Sequence, residues 1–193
     1  MTTRLVGAGR TYPVLARVGS ELGALDRAVY RAVAVTTTPT VDVALSRVSN
    51  AANYSGLWLG TATLLSLAGR RSRRAAGLGV AAIGVTSAVV NLGIKPVLAR
   101  KRPLREDAAR QTVMMPRSHS FPSGHSASAF AFSSAVGAEI PQLATPLRLM
   151  ATTVAYSRLH NGVHYMGDVI AGALIGAGVG TVVRQLADRT HRT

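Results

Sequence analysis

The chain has 193 residues, no cysteine and a formal net charge of +14 at pH 7. This length suits one domain with its own core, and the lack of cysteine excludes disulfide and thiol chemistry. Hydrophobic residues make up 48% and charged residues 16%, which favours a membrane protein without excluding an alanine-rich soluble helical domain. Aromatic residues are only 5% and do not alternate with a basic stripe, so we expect no nucleic-acid partner.

The N-terminal region predicts helices that lie in the membrane interface. Residues 1 to about 19 have the composition of a loose tail. From Ser20 onward, apolar and charged residues fall on opposite sides of a helix, which is typical of an amphipathic interfacial helix. Pro39 ends this helix, and Thr40 can cap a second, short one through Leu45. We therefore assign residues 1–47 to a tail and interfacial helices. The apolar side comprises Leu22, Leu25, Val29 and Val33, and the charged side Asp26, Arg27 and Arg31.

Residues 48–193 predict a membrane-embedded catalytic domain. Residues 48–69 and 75–94 are free of charge and long enough to cross a bilayer, and residues 169–183 form a shorter stretch of the same kind. Caps and prolines predict three more helices, at 125–138, 145–158 and 164–184. The prediction is an all-α bundle of about five transmembrane helices, in which the third and fourth helices are enclosed by the others. Gly172, Gly176 and Gly180 share one face of the last helix and would let a neighbour approach closely.

Three short motifs carry the charged residues that chemistry needs. Lys95 stands seven residues before Arg102-Pro103, the segment PSGH covers residues 122–125, and Ser157-Arg158 precedes His164 and Asp168. All three fall at helix ends that the predicted topology places on one side of the membrane. Together they supply three cations, two imidazoles and one carboxylate, the set that phosphoryl transfer requires.

The spacing of these motifs resembles the signature of the type 2 phosphatidic acid phosphatase (PAP2) family. That signature reads Lys-x6-Arg-Pro, Pro-Ser-Gly-His and Ser-Arg-x5-His-x3-Asp, and every residue of it is present here. The resemblance implies an integral membrane helical bundle and a lipid or polyprenyl phosphate as substrate. It also implies that His164 attacks phosphorus and forms a phosphohistidine intermediate.

The residue chemistry suggests a role for each candidate. His164 and Asp168 are four apart and would share a helix face, so the carboxylate can hold one ring nitrogen and direct the other outward. His125 is the candidate acid for the leaving group and base for water. The phosphate-binding candidates are Lys95, Arg102, Ser123, Gly124 and Arg158, of which Ser123 and Gly124 open a helix whose free N–H groups favour an anion.

We expect no metal and no cofactor, because the motif set contains a single carboxylate and two-metal phosphatases need several. His119 and His160 either line the pocket entrance or are simply solvated or hydrogen-bonded, the second being favoured. Basic residues beyond the motifs would attract anionic substrate or bind lipid headgroups; these are Arg100, Lys101, Arg105 and Arg110. Asn91 is expected to make an interhelical hydrogen bond.

The preferred hypothesis is a multi-pass plasma-membrane enzyme that removes phosphate from a lipid or polyprenyl phosphate. Size and composition resemble the branch assigned to decaprenylphosphoryl-ribose 5-phosphate. The alternatives are a vanadate-dependent haloperoxidase, whose relatives are much larger and soluble, and an inactive protein that binds anionic lipid. Arg70–Arg74 would lie in the cytoplasm and the site outside it by the positive-inside rule, although the N-terminal arginines and the 100–117 loop favour the reverse.

Overall fold

In a computed structural model, which describes residues 13–34, 36, 38–104 and 113–190, every regular element is a helix. This confirms the all-α prediction. The helices are α1 Pro13–Ala34, α2 Pro39–Ala51, α3 Gly56–Ser66, α4 Arg70–Ala88, α5 Lys95–Leu98, α6 Gly124–Glu139, α7 Ala144–His160 and α8 Met166–Thr190. A π-helical stretch, Val89–Ile94, joins α4 to α5 without a break, and short 3₁₀ turns precede α3 and α7.

Helix α6 forms the centre of the bundle because small residues along its length let neighbours approach. Gly172, Gly176 and Gly180 of α8 face it, and a Cβ at any of them would collide with a backbone carbonyl oxygen of α6 or of Ser123, the residue before it. The predicted glycine face is therefore a close-packing surface. The prediction that the third helix is enclosed is confirmed, since most residues of α6 are buried. The same prediction for the fourth helix is wrong, because α7 exposes Leu149, Thr152 and Tyr156.

The other side of α6 packs against a larger apolar cluster. Trp58 of α3 and Phe132 of α6 are 1% and 0% exposed, and their ring centroids are 5.5 Å apart. Gly79 of α4 leaves the space that the Phe132 ring occupies. Such an aromatic pair contributes about 1 kcal/mol beyond the area that it buries, so it fastens α3 and α4 to the central helix.

The predicted span over residues 48–69 is wrong as a single helix. Helix α2 ends at Ala51, and the chain then turns through Asn53–Ser55, where Tyr54 and Ser55 have left-handed backbone angles. Helix α3 has 11 residues, about 16 Å at 1.5 Å per residue, roughly half the thickness of a bilayer core. Within the part of the chain that the structure describes, two helices are long and apolar enough to cross a membrane: Arg70–Leu98 and Met166–Thr190. The number of spans therefore stays a prediction.

The N-terminal helices also differ from expectation. Helix α1 starts at Pro13, inside the predicted tail, whereas residues 1–12 lie outside the described part. Its apolar Leu22 and Leu25 are exposed, but Asp26 is buried at 8% exposure, so the expected solvent side contributes a carboxylate to the bundle. Helix α2 is preceded by Thr38 rather than Thr40 because Pro39 occupies its first turn, a position that suits proline.

The helix directions give the bundle two chemically different ends. Helices α4 and α7 run toward the motifs, whereas α6 and α8 begin there and run away. The motif end is defined by Lys95, Gly124, Arg158 and His164. The ion-pair end is defined by Glu139, Arg74, Arg184 and Asp188, which form a salt-bridge cluster.

Candidate active site

A cavity of about 240 Å³ opens at the motif end. Five of the eight predicted site residues line it, contributed by four separate segments of the chain. These five are Lys95, Arg102, Gly124, His125 and His164. The remaining three, Ser123, Arg158 and Asp168, are fully buried beside it.

His164 has one ring nitrogen toward a carboxylate and the other toward a guanidinium. Its Nδ1 lies 3.4 Å from Oδ2 of Asp168, and Nη1 of Arg102 lies 3.0 Å from its Nε2. Because a guanidinium can only donate hydrogen bonds, Nε2 must be the acceptor and Nδ1 must carry the proton. The ring therefore holds its lone pair on Nε2. The prediction that both residues share a helix face is wrong, since α8 begins at Met166; a turn before the helix makes the contact instead.

The groups around His164 keep its imidazole neutral. Burial is the largest effect, and together with the nearby Arg102 and Arg158 it lowers the pKa of His164 to about 4, against the hydrogen bond to Asp168, which raises it. The ring is therefore neutral, with Nε2 unprotonated, throughout the physiological range, as a nucleophile requires.

Asp168 does not line the cavity but fixes the position of the His164 ring. It is 0% exposed and accepts hydrogen bonds from the hydroxyl of Ser120, from the backbone N–H of Tyr165 at 2.9 Å and from Nη1 of Arg100 at 2.8 Å. With so many donors fixed around it, the carboxylate cannot rotate away from His164. Sequence reasoning had not identified Ser120.

Arg100, considered earlier only as a basic residue near the motifs, connects the site to helix α1. Its Nη2 donates to Asp26 at 2.7 Å, while Gly167 N–H donates to the other oxygen of Asp26 at 2.7 Å. The guanidinium also lies 4.4 Å from the centroid of the Tyr165 ring. Although burial lowers the pKa of Arg100, its hydrogen bond to Asp26 and the charge of Asp168 raise it overall. No sequence signal indicated that Asp26 reaches this network.

Lys95 and Arg102 line the cavity, and each contacts neutral groups. Arg102 donates to the carbonyl oxygens of Ser118 at 2.8 Å and Val163 at 2.7 Å. The ammonium of Lys95 lies 3.4 Å from the hydroxyl of Ser118, a residue that sequence reasoning missed. A Cβ at Gly124 would come within 3.6 Å of the Lys95 ammonium, so the absence of a side chain there leaves room beside this cation.

The buried members of the predicted set have structural contacts. The hydroxyl of Ser123 caps α6 by accepting from the N–H of Ser126 at 3.4 Å, which aims the start of the helix at the cavity. Arg158 is 0% exposed and donates to the hydroxyl of Ser49 in α2. Its charge therefore acts on the cavity from behind the wall.

His125 is oriented by a residue of the left-handed turn. Its Nε2 lies 3.0 Å from Oδ1 of Asn53, which accepts the ring proton. Neither Asn53 nor the turn after it was expected near the site. The sequence did contain a signal, because Asn53 is a polar residue within the stretch predicted to be an apolar span.

The other predictions have mixed outcomes. His160 is buried and contacts Asp42 at 2.6 Å, as expected for a hydrogen-bonded histidine, and His119 is exposed. Asn91 was expected to bond between helices, which is wrong: it donates to Ser87 of its own helix at 3.1 Å and lines the cavity. Arg105 and Arg110 lie outside the described residues.

Residues 75–192 match the PAP2 superfamily. The chain belongs to this superfamily. The match spans more than half of the sequence and includes all three motifs, which confirms the resemblance seen in their spacing. The match begins within α4 and does not cover α1, α2 or α3, so the predicted boundary at residue 47 stays a prediction.

Named relatives agree with the family. The chain is 35% identical over 139 residues to the decaprenylphosphoryl-5-phosphoribose phosphatase of Mycobacterium tuberculosis, covering 70% of this chain and 74% of that protein. The family and this relative support a phosphatase, as the sequence predicted.

Solved structures show the same PAP2 fold. The transmembrane PAP2-type phosphatidylglycerolphosphate phosphatase of Bacillus subtilis superposes with a TM-score of 0.72 at 19% identity, covering 88% of this chain and 87% of that one. LpxE of Aquifex aeolicus superposes with a TM-score of 0.68 at 26% identity, covering 83% and 95%. These likenesses and the two candidate spans indicate a membrane protein.

Proposed function

We propose that this chain is an integral membrane lipid phosphate phosphatase that works through a phosphohistidine at His164. The observation that carries the proposal is the pair of contacts on the His164 ring, 3.4 Å to Asp168 and 3.0 Å to Arg102. They leave a lone pair on Nε2 at the wall of a cavity that two further cationic and imidazole side chains, Lys95 and His125, also line.

The substrate phosphate binds where positive charge converges. Lys95, Arg102 and the N–H groups at the start of α6 contact its oxygens, and the charge of Arg158 acts from behind. The N–H of Arg102 that contacts Nε2 turns to a phosphoryl oxygen as the anion enters. This frees the lone pair of His164 for phosphorus.

The first step breaks the bond between phosphorus and the lipid oxygen. Nε2 of His164 bonds to phosphorus. His125 takes up a second proton, on Nδ1, when the phosphate anion offsets the surrounding cations, and it gives that proton to the departing oxygen so that an alcohol leaves. The Nδ1 proton of His164 stays on the ring, and the resulting positive charge is balanced by Asp168. The cations stabilise charge on the non-bridging oxygens.

The second step regenerates the enzyme. His125, now neutral, takes a proton from a water molecule whose oxygen attacks phosphorus. The bond from phosphorus to Nε2 breaks, its electron pair returns to His164, and inorganic phosphate leaves. We propose that no metal or other cofactor is needed, because side-chain cations serve the charge-stabilising role.

The substrate is proposed to be a polyprenyl phosphate of the decaprenylphosphoryl-5-phosphoribose type, on the strength of the 35% identical relative. The chain would pass the membrane several times, with the site facing away from the cytoplasm. Arg70, Arg71, Arg73 and Arg74 lie at the start of α4, at the opposite end of the bundle from the cavity, and the positive-inside rule supports this orientation.

Purified protein tests the proposal with a panel of phosphatidate, phosphatidylglycerol phosphate, polyprenyl diphosphate and polyprenylphosphoryl-5-phosphoribose. We expect phosphate release that EDTA does not inhibit, and a radiolabelled phosphoenzyme after rapid quenching. His125→Ala should lower turnover by about 10² to 10⁴-fold on the lipid and less on an aryl phosphate, whose leaving group needs no proton. An inactive protein that still binds anionic lipid vesicles would support the binding-only alternative.

A further inference from the structure

One face of the α4 helix carries polar groups that the phosphate site does not use. Residues 75–94 contain three polar side chains in an otherwise apolar run: Thr86, Ser87 and Asn91. All three line the same cavity as Lys95 and His125. Because all the polar side chains of this run line one cavity, they form a polar subsite there.

Their spacing arranges these side chains in a row along the helix, leading away from the phosphate site at Lys95. Thr86, Ser87, Val90, Asn91 and Lys95 follow the positions that share one helix face. At 1.5 Å per residue, Asn91 lies about 6 Å and Thr86 about 13 Å along the axis from Lys95. That interval is long enough for a ring or a short polyol between the phosphate and the lipid chain.

Two observations indicate that this face of the helix binds a ligand. The hydroxyl of Thr86 is fully buried and, among the residues that the structure describes, has no hydrogen-bond partner. Buried hydroxyls without a partner are costly, and helical threonines ordinarily bond the preceding turn. In addition, Asn91 lies in the π-helical stretch Val89–Ile94, and such stretches occur frequently at functional sites.

The opposite wall supplies more groups of the same kind. Ser128 of α6 and Ser55 of the left-handed turn also line the cavity. Hydroxyls and amides donate and accept together, so they match a ligand with several hydroxyl groups rather than a second anion. The cations are confined to the Lys95 end of the lining, which agrees with this division.

We propose that Thr86, Ser87 and Asn91 form a hydroxyl-recognition subsite that binds a sugar- or glycerol-type group between the scissile phosphate and the lipid. This rests on the proposed function, because the phosphate must occupy the neighbouring cationic site. The subsite makes the enzyme prefer a phosphate carried on a polyhydroxylated group over one attached directly to an alkyl or prenyl chain.

Kinetics with matched substrates test the subsite. The wild type and Thr86→Val, Asn91→Leu and double variants would be assayed on a polyprenylphosphoryl-5-phosphoribose, on phosphatidylglycerol phosphate and on a plain prenyl monophosphate. We expect each single variant to lower the ratio of kcat/KM for a hydroxyl-bearing over the plain substrate by about threefold to tenfold, one hydrogen bond's worth. The two hydroxylated substrates distinguish a pentose from a glycerol group.

The control is Thr153→Val, an exposed threonine of α7 whose hydroxyl donates to Leu149 and which does not line the cavity. It removes the same hydroxyl and should leave the ratio unchanged. Equal losses by Thr86→Val on all substrates, or no loss on any, would overturn the subsite while leaving the phosphatase proposal intact.

A binding measurement separates failure of the subsite from failure of the proposed function. Calorimetry on detergent-solubilised His164→Ala protein would compare ribose 5-phosphate, glycerol 3-phosphate and inorganic phosphate, which needs no turnover. A sugar or glycerol phosphate that binds more tightly than phosphate, and loses that advantage in Thr86→Val, supports the subsite even if the enzyme hydrolyses none of the lipids. Equal binding of all three ligands contradicts it.

Discussion

The two ends of the bundle use the same residue types for different purposes. At the ion-pair end, Arg74 lies 2.9 Å from Asp188 and 3.7 Å from Glu139, and Arg184 pairs with Asp188. At the motif end, Arg102 donates to carbonyl oxygens and to the His164 ring, and Lys95 contacts a serine hydroxyl.

The difference shows how a cation becomes structural or functional. A carboxylate partner neutralises a guanidinium and ties two helices together, which contributes modest stability. A carbonyl or hydroxyl partner fixes the position of the cation but leaves its charge to act on an incoming anion. Asp168, a carboxylate buried at the motif end, is directed at His164 and Arg100.

The largest expected effect is at the nucleophile. His164→Ala should lower phosphate release by about 10⁴-fold or more, since no other group can form the covalent intermediate. Steady-state assays and quenched phosphoenzyme trapping measure it. His160→Ala is the matched control, because that histidine pairs with Asp42 in α2. Retention of most activity by the His164 variant would disprove the covalent mechanism.

The next effect distinguishes a cation that lines the cavity from its sequence neighbour. Arg102→Ala should reduce kcat/KM by about 10² to 10³-fold, the usual cost of removing one group that stabilises transition-state charge. Arg102→Lys should recover little, because the contacts to Ser118 and Val163 come from separate nitrogens of a planar guanidinium, which one ammonium nitrogen cannot reproduce. The exposed Lys101 is the control; if Lys101→Ala is equally damaging, general attraction of anions explains the loss.

Acid should make His164 unreactive by protonating its ring. Because the pKa of His164 is lowered to about 4, modification of the ring by diethyl pyrocarbonate should be constant above about pH 5 and slow tenfold per unit below pH 4. The stability from this group is present above its ordinary value near 6.5 and is lost as pH falls toward 4. A midpoint near 6.5, read by mass spectrometry, would mean that the ring is not shielded as described.

A smaller effect belongs to the network behind the nucleophile. Asp26→Asn removes a charge that holds Arg100, so Arg100 should bind Asp168 more strongly. The hydrogen bond between Asp168 and His164 should weaken as a result. We expect kcat to fall about tenfold with KM little changed, and Asp26→Glu to restore part of the rate. Asp42→Asn is the control; a change in KM alone would indicate a role in substrate access instead.

The smallest effect on activity is expected at the ion-pair end. Arg74→Gln should leave kcat/KM unchanged but lower the free energy of unfolding by about 1 kcal/mol, because the pair with Asp188 is partly exposed. In a thermal melt this corresponds to about 3 °C for a chain of this size. A marked loss of activity would show that the two ends are coupled.

Local patterns predicted the long helices and the glycine face well. Uncharged runs of helical length lead to α4 and α8, and small residues four apart predict that a neighbouring helix packs closely on α8, because both depend only on neighbours in the chain. The structure shows that this neighbour is α6. The break at Asn53–Ser55 was missed since its polar residues are few and hydropathy averages over them. Asn91 was misassigned for the same reason: periodicity does not tell whether a polar group faces a helix or a cavity.

What the sequence determined by itself is the chemistry: the family, an all-helical fold and the residue types that phosphoryl transfer needs, since these follow from identity and spacing. Only the tertiary structure decided which cations reach the cavity and which stay behind it, as with Arg102 and Arg158. It also decided that Asp26, Ser120 and Arg100 join Asp168. These contacts link residues as far apart as 26 and 168, and the packing of whole helices sets such distances.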